Sequence, residues 1–251
     1  LYRLKSDEAK RMVEQTHDHE GIRVIEWADR SPPLPASVPH ISLHFSEEGN
    51  GRTLLCTFSD IAFPADEEIE GWRKDVDLPE HIARHCNAVG AYAEVLAVKL
   101  HERGFLARGR ALRAAGKCHD LLRFIDFRGD AGPKGVEEKP SPVWEQWKQT
   151  FEGLHHEEAM AKFLRDKGYA DLGEIVRTHG LWLPPEDDAR TEQLLLYYAD
   201  KRLKLDEVVT LEERFLDFRE RYGEQHAKMQ AEVWMPQCKR IERLLFPEGA
   251  P

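Results

Sequence analysis

The stretch that decides the fold is Gly116-Lys-Cys-His-Asp-Leu-Leu-Arg123. His119 and Asp120 are adjacent, so on a predicted helix their side chains point about 100° apart and can still converge on one point. An imidazole nitrogen beside a carboxylate oxygen suits a Mn, Fe, Co or Zn ion, and a carboxylate can bridge two ions. One such pair is weak evidence by itself, because His17-Asp18-His19 in the same chain shows that the combination also occurs by chance.

Four more side chains of ligand type lie on separate predicted helices: His85, His156, His179 and Asp200. Taken singly, His85 is more simply a core histidine, His156 an exposed first-turn residue and His179 a helix C-terminal residue favoured by the helix dipole. Asp200 is different, because a carboxylate in an apolar stretch is costly unless it is paired or bound to metal. Their order, one to a helix, favours a shared site. His155 is an alternative to His156, which is better placed on its helix.

This order resembles the HD (His-Asp) superfamily of metal-dependent phosphohydrolases over about residues 80–205. The family pattern is an early His, a His-Asp pair, two further His and a late Asp. The resemblance implies a bundle of helices with six metal ligands, which are His85, His119, Asp120, His156, His179 and Asp200. It also implies a dinuclear site, in which Asp120 bridges one ion held with His85, His119 and Asp200 and another held with His156 and His179.

The activity that the resemblance implies is hydrolysis of a phosphate ester or anhydride, in a nucleotide or a similar small phosphorylated molecule. Two ions about 3.5–4 Å apart can activate water and clamp a phosphoryl group. We expect one or two divalent transition-metal ions per chain (Mn, Fe, Co or Zn, with Mg possible). Asp120 and Arg123 are the expected catalytic residues, and Arg123 and Lys201 are expected to bind the substrate, since cationic side chains pair with phosphate oxygens.

The residues after the His-Asp pair depart from two subgroups of the family. Phe124-Ile125 stand where the stringent-response nucleotide hydrolases have Glu-Asp, and the relevant region holds no Gly-Tyr-Pro motif of the cyclic-dinucleotide phosphodiesterases. Hydrolysis of dinucleoside polyphosphates stays open. Two alternatives to hydrolysis also stay open: an HD-type oxygenase with two irons, which would use the same ligands, and a regulatory or binding module in which the metal is structural.

Composition limits the partners of the chain. Its formal net charge of −10 argues against general nucleic-acid binding, which needs a basic face. No run of about 18 apolar residues occurs, so we expect no membrane span. The four cysteines lie far apart without a CxxC pair, which predicts reduced thiols and a cytoplasmic protein. The sequence begins at Leu1, so it can be a fragment, and we expect no targeting segment within it. It leaves the oligomeric state open.

The pattern of apolar and polar residues changes near residue 78, which divides the chain into residues 1–78 and 79–251. The first part predicts a small α+β region of unknown role, with a helix from about Ser6 to His17 and an alternating run from Ile22 to Trp27. It also predicts a β-hairpin, in which Ile41–Phe45 and Thr53–Phe58 flank a Glu-Gly-Asn-Gly turn.

The second part predicts the mainly α HD domain, with apolar residues at helical spacing. Its expected helices cover about 79–104, a segment carrying Leu112 to Leu122, 155–167, 171–179, 190–205, 209–222 and 224–246, the last interrupted near Pro236. A loop is expected over 126–150. Trp144 and Trp147 in it either stack on a substrate base or, as we prefer, anchor the loop.

Overall fold

The protein is described from a computed structural model over residues 4–16, 21–30, 34, 38–127, 141–186, 188–222 and 227–249. It is mainly helical with an N-terminal hairpin, as the sequence predicts. The chain forms two units, Leu1–Asp60 and Ile61–Pro251. The structural boundary therefore precedes the expected one at residue 78. Segment 61–78 joins the helical unit because its apolar side chains are buried there, with the Trp72 ring edge-on to Phe163 at 5.1 Å between centroids.

The described part of the first unit holds a helix, a 3₁₀ turn and a hairpin. Helix α1 is Ser6–Glu14, and a 3₁₀ turn covers Ala28–Arg30. Strands β1 (His40–Glu48) and β2 (Gly51–Ser59) pair antiparallel, with Glu48 opposite Gly51. Gly49 has a φ of +60°, which the tight turn requires and which glycine adopts without steric cost. The predicted hairpin is confirmed, whereas the alternating run 22–25 has no regular secondary structure.

The second unit is a set of helices with one short hairpin. Its described helices are α2 (Asp66–Asp75), α3 (Glu80–Glu102), α4 (Gly109–Cys118), α5 (Pro142–Thr150), α6 (His156–Asp166), α7 (Ala170–Arg177), α8 (Thr191–Lys201), α9 (Leu211–Tyr222), α10 (Ala227–Met229) and α11 (Met235–Leu245). A 3₁₀ turn covers Arg123–Asp126, a π-helical segment covers Gln230–Trp234, and strands β3 (Leu203–Lys204) and β4 (Glu207–Val208) pair antiparallel.

Three of the expected helices that end earlier than predicted affect the candidate site. Helix α7 stops at Arg177, so His179 lies just beyond the helix that it was expected to end. Helix α4 stops at Cys118, so His119 and Asp120 lie in a turn rather than on a helix. That turn lets Leu121 and Leu122 both reach full burial in the core. Helix α8 stops at Lys201, because the chain then reverses in the β3–β4 hairpin. Within the expected loop 126–150, residues 142–150 form helix α5, which extends the short Trp144–Trp147 helix that the sequence allows there. Residues 128–140 and 223–226 lie outside the described residues.

Helices α3 and α4 cross in backbone contact at two glycines. A Cβ atom on Gly90 would lie 2.6 Å from the carbonyl oxygen of Arg113, and one on Gly116 would overlap the backbone of Gly90. His119 follows this crossing directly, and its Nδ1 donates to the carbonyl of Gly116 at 2.8 Å. The crossing therefore brings His119 close to His85 on α3, with 5.3 Å between the ring centroids.

We predict that Gly116→Ala lowers the free energy of unfolding by about 1–3 kcal/mol, because the added methyl group forces the two backbones apart. Gly71→Ala is the matched control, since a Cβ atom there meets nothing within 4 Å on helix α2. That control should be neutral or stabilising by up to about 1 kcal/mol. Urea unfolding followed by circular dichroism measures both variants. Equal stability of the two variants would contradict the close crossing.

Candidate metal centre

A cavity of about 470 Å³ in the helical unit gathers the predicted ligands. Five of the six line its wall: His85, Asp120, His156, His179 and Asp200. The sixth, His119, is fully buried behind them, and its ring lies edge-on to the ring of His179 with 4.8 Å between centroids. Elements far apart in sequence, from α3 to α8, thus supply one cluster of imidazoles and carboxylates.

The first group of ligand-type atoms joins α3, the turn after α4, and α8. Nε2 of His85 lies 2.9 Å from Oδ1 of Asp200. Nε2 of His119 lies 3.7 Å from that same oxygen and 3.7 Å from Oδ2 of Asp120. The ligand-type atoms of His85, His119 and Asp120 lie within 4.8 Å of one another, and Asp200 adjoins the two imidazoles from α8.

The second group centres on the other oxygen of Asp120. Oδ1 of Asp120 lies 3.2 Å from Nε2 of His156 and 3.3 Å from Nε2 of His179. The two Nε2 atoms lie 3.2 Å apart. One carboxylate oxygen of Asp120 therefore faces each group, which is the arrangement a bridging carboxylate needs.

Backbone carbonyls orient three of the four imidazoles. Nδ1 of His85 lies 2.7 Å from the carbonyl of Leu205, and Nδ1 of His179 lies 2.7 Å from the carbonyl of Val176. His119 uses the carbonyl of Gly116 in the same way. A carbonyl only accepts, so each of these Nδ1 atoms carries a proton, and Nε2 is the nitrogen that each ring turns toward the cluster. A second-shell acceptor of this kind commonly fixes metal-binding histidines.

His156 is oriented by a carboxylate instead. Its Nδ1 contacts Oδ2 of Asp126, and Oε2 of Glu157 lies 3.1 Å away. Burial opposes the charge of Asp126, but its hydrogen bond with His156 outweighs this and lowers the pKa of Asp126 to about 2. Sequence reasoning missed both carboxylates. No sequence pattern singles out Asp126, which the 3₁₀ turn that begins at Arg123 brings to His156.

The buried charges favour a cation. Burial opposes the charge of Asp120, but His119 and hydrogen bonds from the neighbouring imidazoles hold its pKa well below the ordinary value. Burial likewise opposes the charge of Asp200, and Lys201 lowers its pKa strongly. Burial disfavours protonated His119, yet Asp120 raises the pKa of His119 well above the ordinary value. A metal ion that takes Nε2 of His119 would displace that proton, which couples metal binding to proton release.

Buried clusters of histidine and carboxylate here can hold a metal ion. Within the described part of the chain, Nε2 of His119 is buried and has no hydrogen-bond partner. Buried polar atoms normally have a hydrogen-bond partner. A metal ion bound to Nε2 of His119 would supply the missing partner. Two ligand atoms that bind the same ion, each at roughly 2.1 Å from it, lie less than about 4.2 Å apart. The pairs His85–Asp200, His119–Asp200 and His119–Asp120, at 2.9–3.7 Å, fit that limit, as do the three pairs of the second group, at 3.2–3.3 Å.

Arg123 and Lys201, the two predicted cationic residues, lie beside the cluster in different roles. Nη1 of Arg123 lies 2.9 Å from Nε2 of His156, so its guanidinium lines the cavity at the edge of the second group. Lys201 is buried, and its Nζ donates to the carbonyl of His179 at 2.9 Å and to the carboxylate of Asp200. Lys201 thus holds two ligand-bearing segments together, and its predicted contact with substrate stays a prediction.

The structure distinguishes His155 from His156 and bears on the two interpretations of Trp144 and Trp147. His155 is 66% exposed, whereas His156 is buried in the cluster. Trp144 stacks on Phe124 with 5.2 Å between centroids and donates from Nε1 to the carbonyl of Val76 at 2.9 Å. Trp147 stacks on Phe151. These contacts favour the interpretation of both indoles as anchors. The four cysteines are free thiols.

Comparisons with protein-family models, with curated proteins and with solved structures found no match for the chain. Over the described residues, every helix is too short or too polar to cross a membrane. The function must therefore be argued from the geometry of the site.

We predict that Asp126→Ala lowers metal affinity about 10–100-fold, because it removes the acceptor that orients His156. Asp126→Asn should have a smaller effect, since the amide oxygen can still accept from Nδ1. Asp166→Ala is the control, because this carboxylate is exposed and pairs only with Lys162 among the residues described. Titration with Mn²⁺ or Zn²⁺ by calorimetry measures all three. Wild-type affinity in Asp126→Ala would show that the contact does not support a metal site.

Proposed function

We propose that this chain is a metal-dependent phosphohydrolase of the HD type, acting on a phosphate ester or anhydride of a small molecule. The observation that carries the proposal is the shared carboxylate of Asp120. Its two oxygens face two different groups of imidazole nitrogens, at the wall of a cavity that Arg123 also lines. A pair of adjacent cation sites beside a guanidinium suits a phosphoryl group better than an uncharged substrate.

The residues divide into three tasks in this proposal. His85, His119 and Asp200 would hold one divalent ion, His156 and His179 a second, and Asp120 both. When bound, the ions would supply Lewis acidity toward phosphoryl oxygens and a more acidic water. The donor set of nitrogen and carboxylate oxygen suits Mn, Fe, Co or Zn better than Mg, which prefers oxygen ligands.

Arg123 would bind the phosphoryl group. A guanidinium presents paired N–H donors that match two phosphate oxygens, and it keeps its charge at every working pH. The guanidinium is partly buried where it contacts His156. Its attraction for a phosphoryl group is stronger there, because less water screens the two charges. Lys201, which lines the cavity, would position Asp200 and the segment after α7, and its contact with the phosphate stays a prediction.

The experiment that tests the proposal compares His156→Ala with His155→Ala. Adjacent residues receive the same change, but one is buried in the cluster and the other is exposed. Elemental analysis of the purified wild type should give about two equivalents of transition metal per chain. His156→Ala should lose about one equivalent and most hydrolysis of a panel of nucleotides and phosphate esters, whereas His155→Ala should match the wild type.

Three results would overturn this function in distinguishable ways. Bound iron with oxygen consumption and no phosphate release would indicate an oxygenase. Metal whose removal unfolds the chain, without any measurable turnover beforehand, would indicate a structural ion in a binding module. No metal uptake at all would remove the site itself.

We also expect Arg123→Ala to keep the wild-type metal content while raising KM or lowering kcat at least tenfold, since the guanidinium that binds the phosphoryl group is lost and all six metal ligands remain. Arg165→Ala, an exposed arginine that pairs with Glu174 on the surface, is the control and should leave both constants unchanged. Loss of metal in Arg123→Ala would instead show that Arg123 orients His156 as a metal ligand.

A further inference from the structure

The two carboxylate oxygens of Asp200 have different partners. Oδ1 lies 2.9 Å from Nε2 of His85 and 3.7 Å from Nε2 of His119. Oδ2 instead accepts a hydrogen bond from Nζ of Lys201, the next residue along the chain. One oxygen of Asp200 therefore faces the imidazoles of the first group, and the other is bound to a buried ammonium group.

Lys201 is held in this position by contacts beyond Asp200. Its side chain is 4% exposed, and Nζ also donates to the carbonyl of His179 at 2.9 Å. The same Nζ lies 5.1 Å from the ring centroid of Tyr197, a fully buried residue four positions earlier on α8. A cation over an aromatic face is attracted to the ring. These contacts keep the ammonium group beside Oδ2 of Asp200.

The contact with Lys201 affects how Asp200 can bind a metal ion. A carboxylate binds an ion through one oxygen or through both. Binding through both oxygens would turn Oδ2 toward the ion and away from Lys201. The ammonium group would then stay buried without its anionic partner, which is costly. The pair therefore favours binding through Oδ1 alone.

The number of oxygens that Asp200 supplies decides how many positions of the ion stay open. The first group offers one atom each from His85, His119, Asp120 and Asp200. An octahedral ion held by these four atoms keeps two positions for water or substrate. A second oxygen from Asp200 would fill one of them. Catalytic ions need such open positions, because water and phosphoryl oxygens bind there.

We propose that Lys201 is a positioning residue that limits Asp200 to a single metal-binding oxygen, and so keeps a position of the first ion open for water or substrate. The use of that position in hydrolysis rests on the proposed function, whereas the binding through one oxygen rests on the contacts of Lys201. A purely structural Lys201 would behave differently, because its removal would displace the ligands and weaken metal binding.

The test removes the ammonium group but keeps a side chain of similar length. The variants are Lys201→Met and Lys201→Arg, and the control is Lys162→Met, since Lys162 is exposed and pairs with Asp166 on the surface. Calorimetry measures the affinity for Mn²⁺, and water-proton relaxation counts the waters on bound Mn²⁺. Both use the full chain with His156→Ala, which removes a ligand of the second group. Hydrolysis is measured in chains that retain His156.

Lys201→Met should bind Mn²⁺ at least about threefold more tightly than its parent, because a positive charge is removed and Asp200 gains a second ligand oxygen. The bound ion should carry about one water fewer, and kcat for hydrolysis should fall at least about tenfold. Lys201→Arg should keep the water number of the parent, since a guanidinium also donates to Oδ2. Lys162→Met should match the parent in every measurement.

The water number decides the proposal independently of turnover. Loss of about one water in Lys201→Met, in a chain that hydrolyses nothing, would support the role of Lys201 while the proposed function fails. An unchanged water number with weaker Mn²⁺ binding in Lys201→Met would assign Lys201 a structural role and overturn the proposal. A parent chain whose bound Mn²⁺ carries fewer than about two waters would also overturn it, whether or not Lys201→Met folds.

Discussion

The helical unit depends on one costly burial, that of the Asp120 carboxylate among imidazoles. An ionised carboxylate loses several kcal/mol of hydration on burial unless partners replace the water. Here the partners are Nε2 atoms, and they can face Asp120 only because their Nδ1 atoms are held elsewhere. Three backbone carbonyls and the carboxylate of Asp126 do this. The backbone around the site must therefore place a hydrogen-bond acceptor beside Nδ1 of each imidazole.

Several features of the fold follow from this requirement. The crossing at Gly90 and Gly116 places the carbonyl that His119 uses, and the glycines allow the approach. The β3–β4 turn places the carbonyl that His85 uses, and its residue Leu205 has a φ of +59°, which costs of order 1–3 kcal/mol in a residue other than glycine. The exposed pair between Arg84 and Asp206 also joins this turn to α3, but such a pair contributes little. The strain is consistent with a turn that serves the site.

Much of this arrangement could be predicted from the sequence, because helical periodicity and residue order are local signals. The hairpin and most helices follow from such signals, whereas the joint placement of the six ligand candidates is what the family resemblance implies. The end of α4 at Cys118 could not be predicted, since burial of both Leu121 and Leu122 is a tertiary effect that overrides helix propensity. Asp126 was missed for a related reason. It belongs to no periodic pattern, and it matters only because the fold places it beside His156.

The hydrogen bond between His85 and Asp200 affects the order in which the site forms during synthesis of the chain. The two residues are 115 positions apart, and the carbonyl that fixes His85 comes five residues after Asp200. A ribosome therefore completes α3, α4, α6 and α7 before the last members of the cluster exist. Contacts of such long range close late and slowly in folding. Until then the carboxylate of Asp120 can stay hydrated, and the unfinished chain offers at most part of a chelating site to free metal ions.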